Sequence, residues 1–290
     1  MSSPSVNPNQ VSVLEQCMPL TPMQRHLCTS GWLAMALWMV VAFFGPAVLA
    51  YLGITVPPNG HLHLYAHGHP FADARVWLGI PNALDVLSNL PLALAGVWGL
   101  TEMKRSGHTA FHSNTRHALC VFFWGLMVTA LGSAAYHWAP NAQSLVFDRL
   151  GMAVTFSGAL GLAMAERVGA HIARNALLAV LVLGSLSAVM PLVHGNVLPW
   201  MVVQFGGMGF LAWAALRKPL PTALGVSLGG MLALYALAKL FELGDAAVFH
   251  ATGDLVSGHT LKHVAAALAA WPVIRAMRQN APSGASAAGQ

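Results

Sequence analysis

Residues 118–137 read ALCVFFWGLMVTALGSAAYH, and after the seam WAPNAQSLVF residues 148–166 read DRLGMAVTFSGALGLAMAE. Each run is close to the roughly 20 apolar residues that a helix needs to cross the hydrocarbon core of a bilayer. A seam this short makes the two helices antiparallel neighbours. Further runs of similar length lie at about 32–52, 82–101, 175–193, 198–216, 222–242 and 259–277, giving eight expected spans. The run at 82–101 is the least regular, because Asp85 and Asn89 interrupt its first turns.

Composition agrees. The chain has 290 residues, 56% hydrophobic and only 8% charged, where a soluble domain carries about 25% charged residues. The fold class is therefore all-α, a polytopic transmembrane helix bundle. The first apolar run starts too late and runs too long for a secretory signal peptide. Cys17, Cys28 and Cys120 form neither a CxxC pair nor an even framework, so no disulfide scaffold or thiolate metal site is expected.

The charges give an orientation. With the N-terminus inside, the inner segments hold Arg25, Lys104, Arg105, Arg116, Arg167, Arg174, Arg217, Lys218, Arg275 and Arg278, while the outer segments hold only Arg75 and Arg149. That asymmetry follows the positive-inside rule and places both termini in the cytoplasm. Basic residues scattered singly between apolar runs read as topology signals, so no nucleic-acid partner is expected.

The outer side then collects the polar chemistry. SGHTLKH at 257–263 opens the last span, with Ser257 as its N-cap. His259 and His263 are four apart, so they project from one helix face and suit one zinc ion. A catalytic zinc usually takes three protein ligands and leaves one position for water. His137, ending its span on the same side, is the candidate third ligand. Asp148 is placed to orient a ligand or accept a proton, and Ser133, one turn from His137, to steady water or a developing oxyanion. Each residue also has a plain reading: an interfacial histidine, a solvated helix start at Asp148, a small-residue helix contact at Ser133. Their convergence on one side of one membrane favours the functional reading.

Other signals are weaker. His61, His63, His67 and His69 crowd one outer loop, which reads as a second metal site, a metal-delivery loop or plainly a flexible polar loop. Glu242 and Asp245 offer a second cation site or support for a ligating histidine. Lys262 is expected to point away from the two histidines, towards an acidic headgroup or the interface. GVSLG at 225–229 fits a nucleophile-elbow pattern but lies in an apolar helix without the required strand.

The pattern S-x3-H-x10-D at Ser133, His137 and Asp148, with H-x3-H at His259 and His263, resembles the alkaline ceramidase (alkaline phytoceramidase) family. That family sits in a superfamily of seven-span membrane hydrolases which includes the progestin and adiponectin receptors. NALDVLSNLPL at 82–92 resembles the family's first core span through the pair Ser88–Asn89. The resemblance implies a zinc ion held by His137, His259 and His263, with Asp148 and Ser133 beside the attacking water. It implies hydrolysis of the amide of a ceramide-like membrane lipid to a long-chain base and a fatty acid.

It also implies a division of the chain. Residues 1–30 form a polar tail, 31–53 an extra N-terminal span, 54–80 an outer His-rich loop, 81–278 the seven-span core, and 279–290 a disordered tail. The family's acidic calcium-binding cluster is not reproduced: Asn82 stands where a glutamate is expected and the upstream loop offers only Asp73. This counts against calcium. Asn82, Asp85 and Asn89 remain candidates for the surroundings of the metal or for a second cation site. The alternatives are a non-catalytic, receptor-like lipid binder with a structural zinc, and a metal or proton transporter.

Overall fold

The apolar runs all become helices, and capping residues and prolines set where each one starts. A computed structural model describes residues 20–54, 70–107 and 110–280. Among these, 77% are helical and none forms a strand. In chain order the helices are α1 (Pro22–Tyr51), α2 (Ala83–Leu87), α3 (Leu90–Arg105), α4 (Ser113–Trp138), α5 (Ala142–Arg167) and α6 (Ala170–His194). They continue with α7 (Leu198–Ala215), α8 (Leu228–Leu243), α9 (Asp245–Ala251), α10 (Gly258–Leu268) and α11 (Trp271–Gln279). Six stretches are long and apolar enough to cross a membrane, α2 and α3 counting together as one of them. This is the make-up of a multi-pass membrane protein.

Several boundaries differ from those read in the sequence. Helix α1 begins at Pro22, so residues 22–30 are helical and not part of a tail. The cause is a capping box: Thr21 Oγ1 accepts from Gln24 N at 3.3 Å while Gln24 Oε1 accepts from Thr21 N at 2.9 Å. Helix α8 begins at Leu228 and not near 222, because Pro219, Pro221 and Gly225 (φ +80°) hold an irregular loop ahead of its Ser227 cap. The last span is broken between α10 and α11, where Pro272 has no N–H to continue the ladder. Helix α5 begins at Ala142, so Asp148 lies inside it and not at its start. The 61–69 histidines lie outside the described residues.

Helices α4 and α5 form the centre of the bundle. Glycines let their backbones touch: a Cβ at Gly132 would come within 2.4 Å of Phe147 O, and one at Gly151 within 2.5 Å of Thr129 Cα. Between lipid-embedded helices, such close approach and interhelical hydrogen bonds take the place of the hydrophobic driving force. Thr129 Oγ1 and Thr155 Oγ1 supply one such bond at 2.9 Å. At the far end of α5, the fully buried carboxylate of Glu166 accepts from Leu224, Gly225 and Val226 N at 2.7–2.9 Å, fixing the loop into α8. Helix α1 lies at the margin, tied by Gln24 Nε2 to Val168 O and by Trp38 Nε1 to Ser187 Oγ.

Candidate metal centre

Pro140, just past the end of α4, stops that helix and leaves His137 in its last turn. Asn141 then caps α5 reciprocally with Ser144, turning the chain back within a few residues. Across from this corner α10 starts at Ser257, whose Oγ accepts from Thr260 N at 3.0 Å as expected of an N-cap. His259 and His263 therefore face α4 one turn apart.

The three imidazoles converge. One ring nitrogen from each of His137, His259 and His263 lies within 4.8 Å of the others, and all three residues are at most 4% exposed. His137 Nε2 and His263 Nε2 face each other at 3.2 Å. Two imidazole nitrogens on one tetrahedral zinc, each bonded at about 2.0–2.1 Å, stand about 3.3 Å apart. The donor set and its spacing thus fit a metal ion, with zinc among the ions that three imidazoles suit.

Each ligand candidate is held from behind. Ser88 Oγ lies 2.7 Å from His263 Nδ1. Asn82 Nδ2 donates to the carbonyl of His137 at 2.8 Å. Asp245 Oδ1 accepts from the backbone N–H of His259 at 2.8 Å, and its Oδ2 from Ala72 N at 2.9 Å. The latter bond positions Phe71, fully buried, with its ring 4.6 Å from His137 and 4.8 Å from His259 between centroids. Asp85 Oδ1 accepts from Ser257 Oγ (3.1 Å) and Thr260 Oγ1 (2.7 Å), pinning the start of α10 to α2.

Ser133 Oγ is 3.4 Å from His263 Nε2 and also bonds the Asp148 carboxylate. So Ser133, His137, Asp148, His259 and His263 form one constellation. Asn89 stands apart from it: its amide donates to Asp85 O and Val86 O at the bend between α2 and α3.

Two expectations are corrected. Glu242 and Asp245 do not form a joint cation site, because Glu242 is occupied by Lys239 and Lys262 while Asp245 holds backbone N–H groups. Lys262 does not reach outward, since it turns inside and bonds Glu242 Oε1 at 3.0 Å. Asp73, the acid of the loop ahead of α2, is clasped by Arg75, whose Nε and Nη2 each lie 2.7 Å from its oxygens; this pairing raises the guanidinium above its ordinary pKa.

Sequence reasoning missed Phe71 and the supporting roles of Thr260 and Ser88. A lone phenylalanine in HPFADAR carries no periodic signal, whereas the two hydroxyls, Thr260 next to His259 and Ser88 next to Asn89, offered a faint one. No family model, curated protein or solved structure matches the chain.

Proposed function

We propose that the protein is a zinc-dependent membrane amidase acting on a ceramide-like lipid. The observation that carries this reading is the buried imidazole trio, with the Ser133 hydroxyl against His263 and the Asp148 carboxylate against that hydroxyl. A zinc ion held there would supply Lewis-acid chemistry for opening an amide with water. His137, His259 and His263 would hold it, kept in place by Asn82, Asp245 and Ser88.

Asp148 accepts the proton of the attacking water at its carboxylate and delivers it to the departing amine nitrogen. Ser133 holds that carboxylate by its hydrogen bond, so the proton acceptor keeps one orientation. The products are a carboxylic acid and an amine, a long-chain base when the substrate is a ceramide. The site lies at one end of the bundle, within reach of headgroups when the acyl chains remain in the bilayer. With α8 and the α10–α11 pair as the remaining crossings, the bundle has eight, seven of them core. The basic residues then set the termini in the cytoplasm and the site near the outer face.

The test is zinc content and fatty-acid release on the same detergent-purified samples, wild type beside His263→Ala. About one zinc per chain, absent from the variant, with ceramide turnover only in the wild type, is the expected result. A wild-type protein that stays zinc-free when metal is supplied during expression overturns the reading.

A further inference from the structure

The α2–α3 span and the α10–α11 pair touch at two places and part between them. Beside the metal centre, Ser88 Oγ lies 2.7 Å from His263 Nδ1. Further along, the rings of Trp98 and Trp271 lie 5.4 Å apart between centroids. Between these contacts runs a groove of about 370 Å³, within the range of about 300–1,000 Å³ that ligand pockets occupy. Its floor includes Ala267, Ala270 and Ile274, all buried, and its rims include Leu94 and Leu268, both exposed.

The gap has a cause in the sequence. Gly96 draws α3 onto α4, where a Cβ would come within 2.6 Å of Met127 Cγ. The side chains left to face the groove at Ala95, Ala267 and Ala270 are too short to close it. From Ser88 to Trp98 the helix rises about 15 Å, half of a hydrocarbon core about 30 Å thick. The groove is therefore as long as one leaflet is deep.

The lining says what fits. It offers no charge and no side-chain acceptor; its polar atoms are two indole N–H groups, and that of Trp98 donates to Glu102 Oε1 at 3.1 Å. Such a surface recognises hydrocarbon. A partner helix is about 10–12 Å across with its side chains, so it would rest on Leu94 and Leu268 and leave the floor uncovered. A free fatty acid finds no cation in the lining for its carboxylate. Left empty, the apolar walls forfeit dispersion contacts on one side.

We propose that the groove binds one acyl chain of a bilayer phospholipid, and that this chain braces the Ser88–His263 contact. His263 and Ala267 share a face of α10 one turn apart, as Ser88 and Pro91 do on the opposite wall. A chain lying on Ala267 thus packs directly beside the contact and fixes the spacing of α3 and α10. This lipid is not the substrate: Ser88 and the His263 ring stand between the groove and the Nε2 atom that faces His137. The bracing rests on the imidazole trio holding zinc; the lipid seat does not.

The full-length protein is purified in digitonin, whose rigid ring system is too broad for the groove. Phosphatidylcholine carrying a diazirine midway along one palmitoyl chain is added, and labelled peptides are read by mass spectrometry after illumination. Labelling within 91–98 and 264–274 is expected to saturate and to be competed by unlabelled phosphatidylcholine. Labelling at Phe43, exposed on the outward face of α1, keeps rising with lipid. Ala95→Leu and Ala267→Leu fill the groove from opposite walls, and each abolishes the saturable part. Zinc release to a chromophoric chelator is then timed with and without the phospholipid. The lipid slows release about tenfold in the wild type, the low end for a partner that supports a metal ligand. In the two filled variants release no longer responds to lipid.

Groove labelling no more saturable than that of Phe43 overturns the seat. Competition by palmitic acid but not by phospholipid makes the occupant a free fatty acid and overturns it too. A saturable seat with zinc release indifferent to lipid overturns the bracing alone. A wild type that holds no zinc overturns the bracing together with the metal centre, while saturable labelling in that protein still upholds the seat.

Discussion

Ser88 Oγ and His263 Nδ1 are 2.7 Å apart, so the ring nitrogen left to face His137 is Nε2. A serine on the bend between α2 and α3 thus chooses which nitrogen of a histidine on α10 is offered to a metal. Partners that fix the tautomer of a ligating histidine are typically worth 10–100-fold in metal affinity. Ser88→Ala is expected to weaken zinc binding by about that factor, read by competition with a chromophoric chelator. An unchanged zinc affinity removes Ser88 from the site's support.

Asp148 is expected to separate metal binding from chemistry. It lies beyond the three imidazoles that could hold a metal and interacts with Ser133. Asp148→Asn should keep about one zinc per chain and lose about 10²–10⁴-fold in kcat, the usual range for a positioned acid–base group. Ser133→Ala should cost less, because the carboxylate remains and loses only one fixed orientation. A variant Asp148→Asn with wild-type turnover excludes this carboxylate as the proton acceptor.

Asp245 joins two chain segments that the sequence keeps far apart. Its oxygens accept from His259 N on α10 and from Ala72 N beside Phe71. Asparagine has one acceptor oxygen, so Asp245→Asn sets an NH2 group against one of these N–H donors. An unsatisfied buried donor costs about 1–3 kcal/mol. The expected outcome is a lower melting temperature and faster zinc release as Phe71 loosens over His137 and His259. Stability and release rate equal to wild type show that the loop is held by other contacts.

Much of this site was legible because its signals are local. His259 and His263 share a face by helical spacing alone, and Ser257 is a good N-cap whatever surrounds it. His137 and Asp148 flank one short seam, so their proximity follows from the turn at Pro140 and Asn141. Direction was not legible. Lys262 sits between two inward histidines, and only the position of α8 determines that it turns inside to Glu242. The start of α8 was hidden for a related reason: 222–227 is largely apolar, and the positive φ at Gly225 leaves no mark on hydropathy. Phe71 depends wholly on tertiary contacts, through the backbone bond from Ala72 to Asp245.

The register of α4 against α5 sets the distance from Ser133 and His137 to Asp148. A side chain at Gly151 would meet Thr129 backbone atoms at 2.5–2.7 Å, so the helices must part to admit one. Gly151→Val is expected to lower stability by about 1–3 kcal/mol, the usual range for overpacking. Because Asp148 lies one turn away on α5, kcat should fall more than zinc affinity, whose ligands sit on α4 and α10. Equal losses of both show that the parting helices also pull His137 from the trio.

Glu166 provides the opposite control, a buried charge with no part in the chemistry. It lies at the other end of α5 from Asp148, and its oxygens gather three backbone N–H groups ahead of α8 as well as Arg167 Nη1. Arg167 in turn donates to Ala214 O at 3.0 Å, so the pair links α5 to the end of α7. Glu166→Gln removes the charge and one acceptor, leaving Arg167 buried without its counter-ion. Breaking a buried pair of this kind costs about 3–5 kcal/mol. The variant should melt well below wild type in detergent while the folded fraction still binds about one zinc per chain. If the melting point holds, the loop from 217 to 227 is fixed without the carboxylate; if zinc is lost from protein that remains folded, the two ends of α5 are coupled.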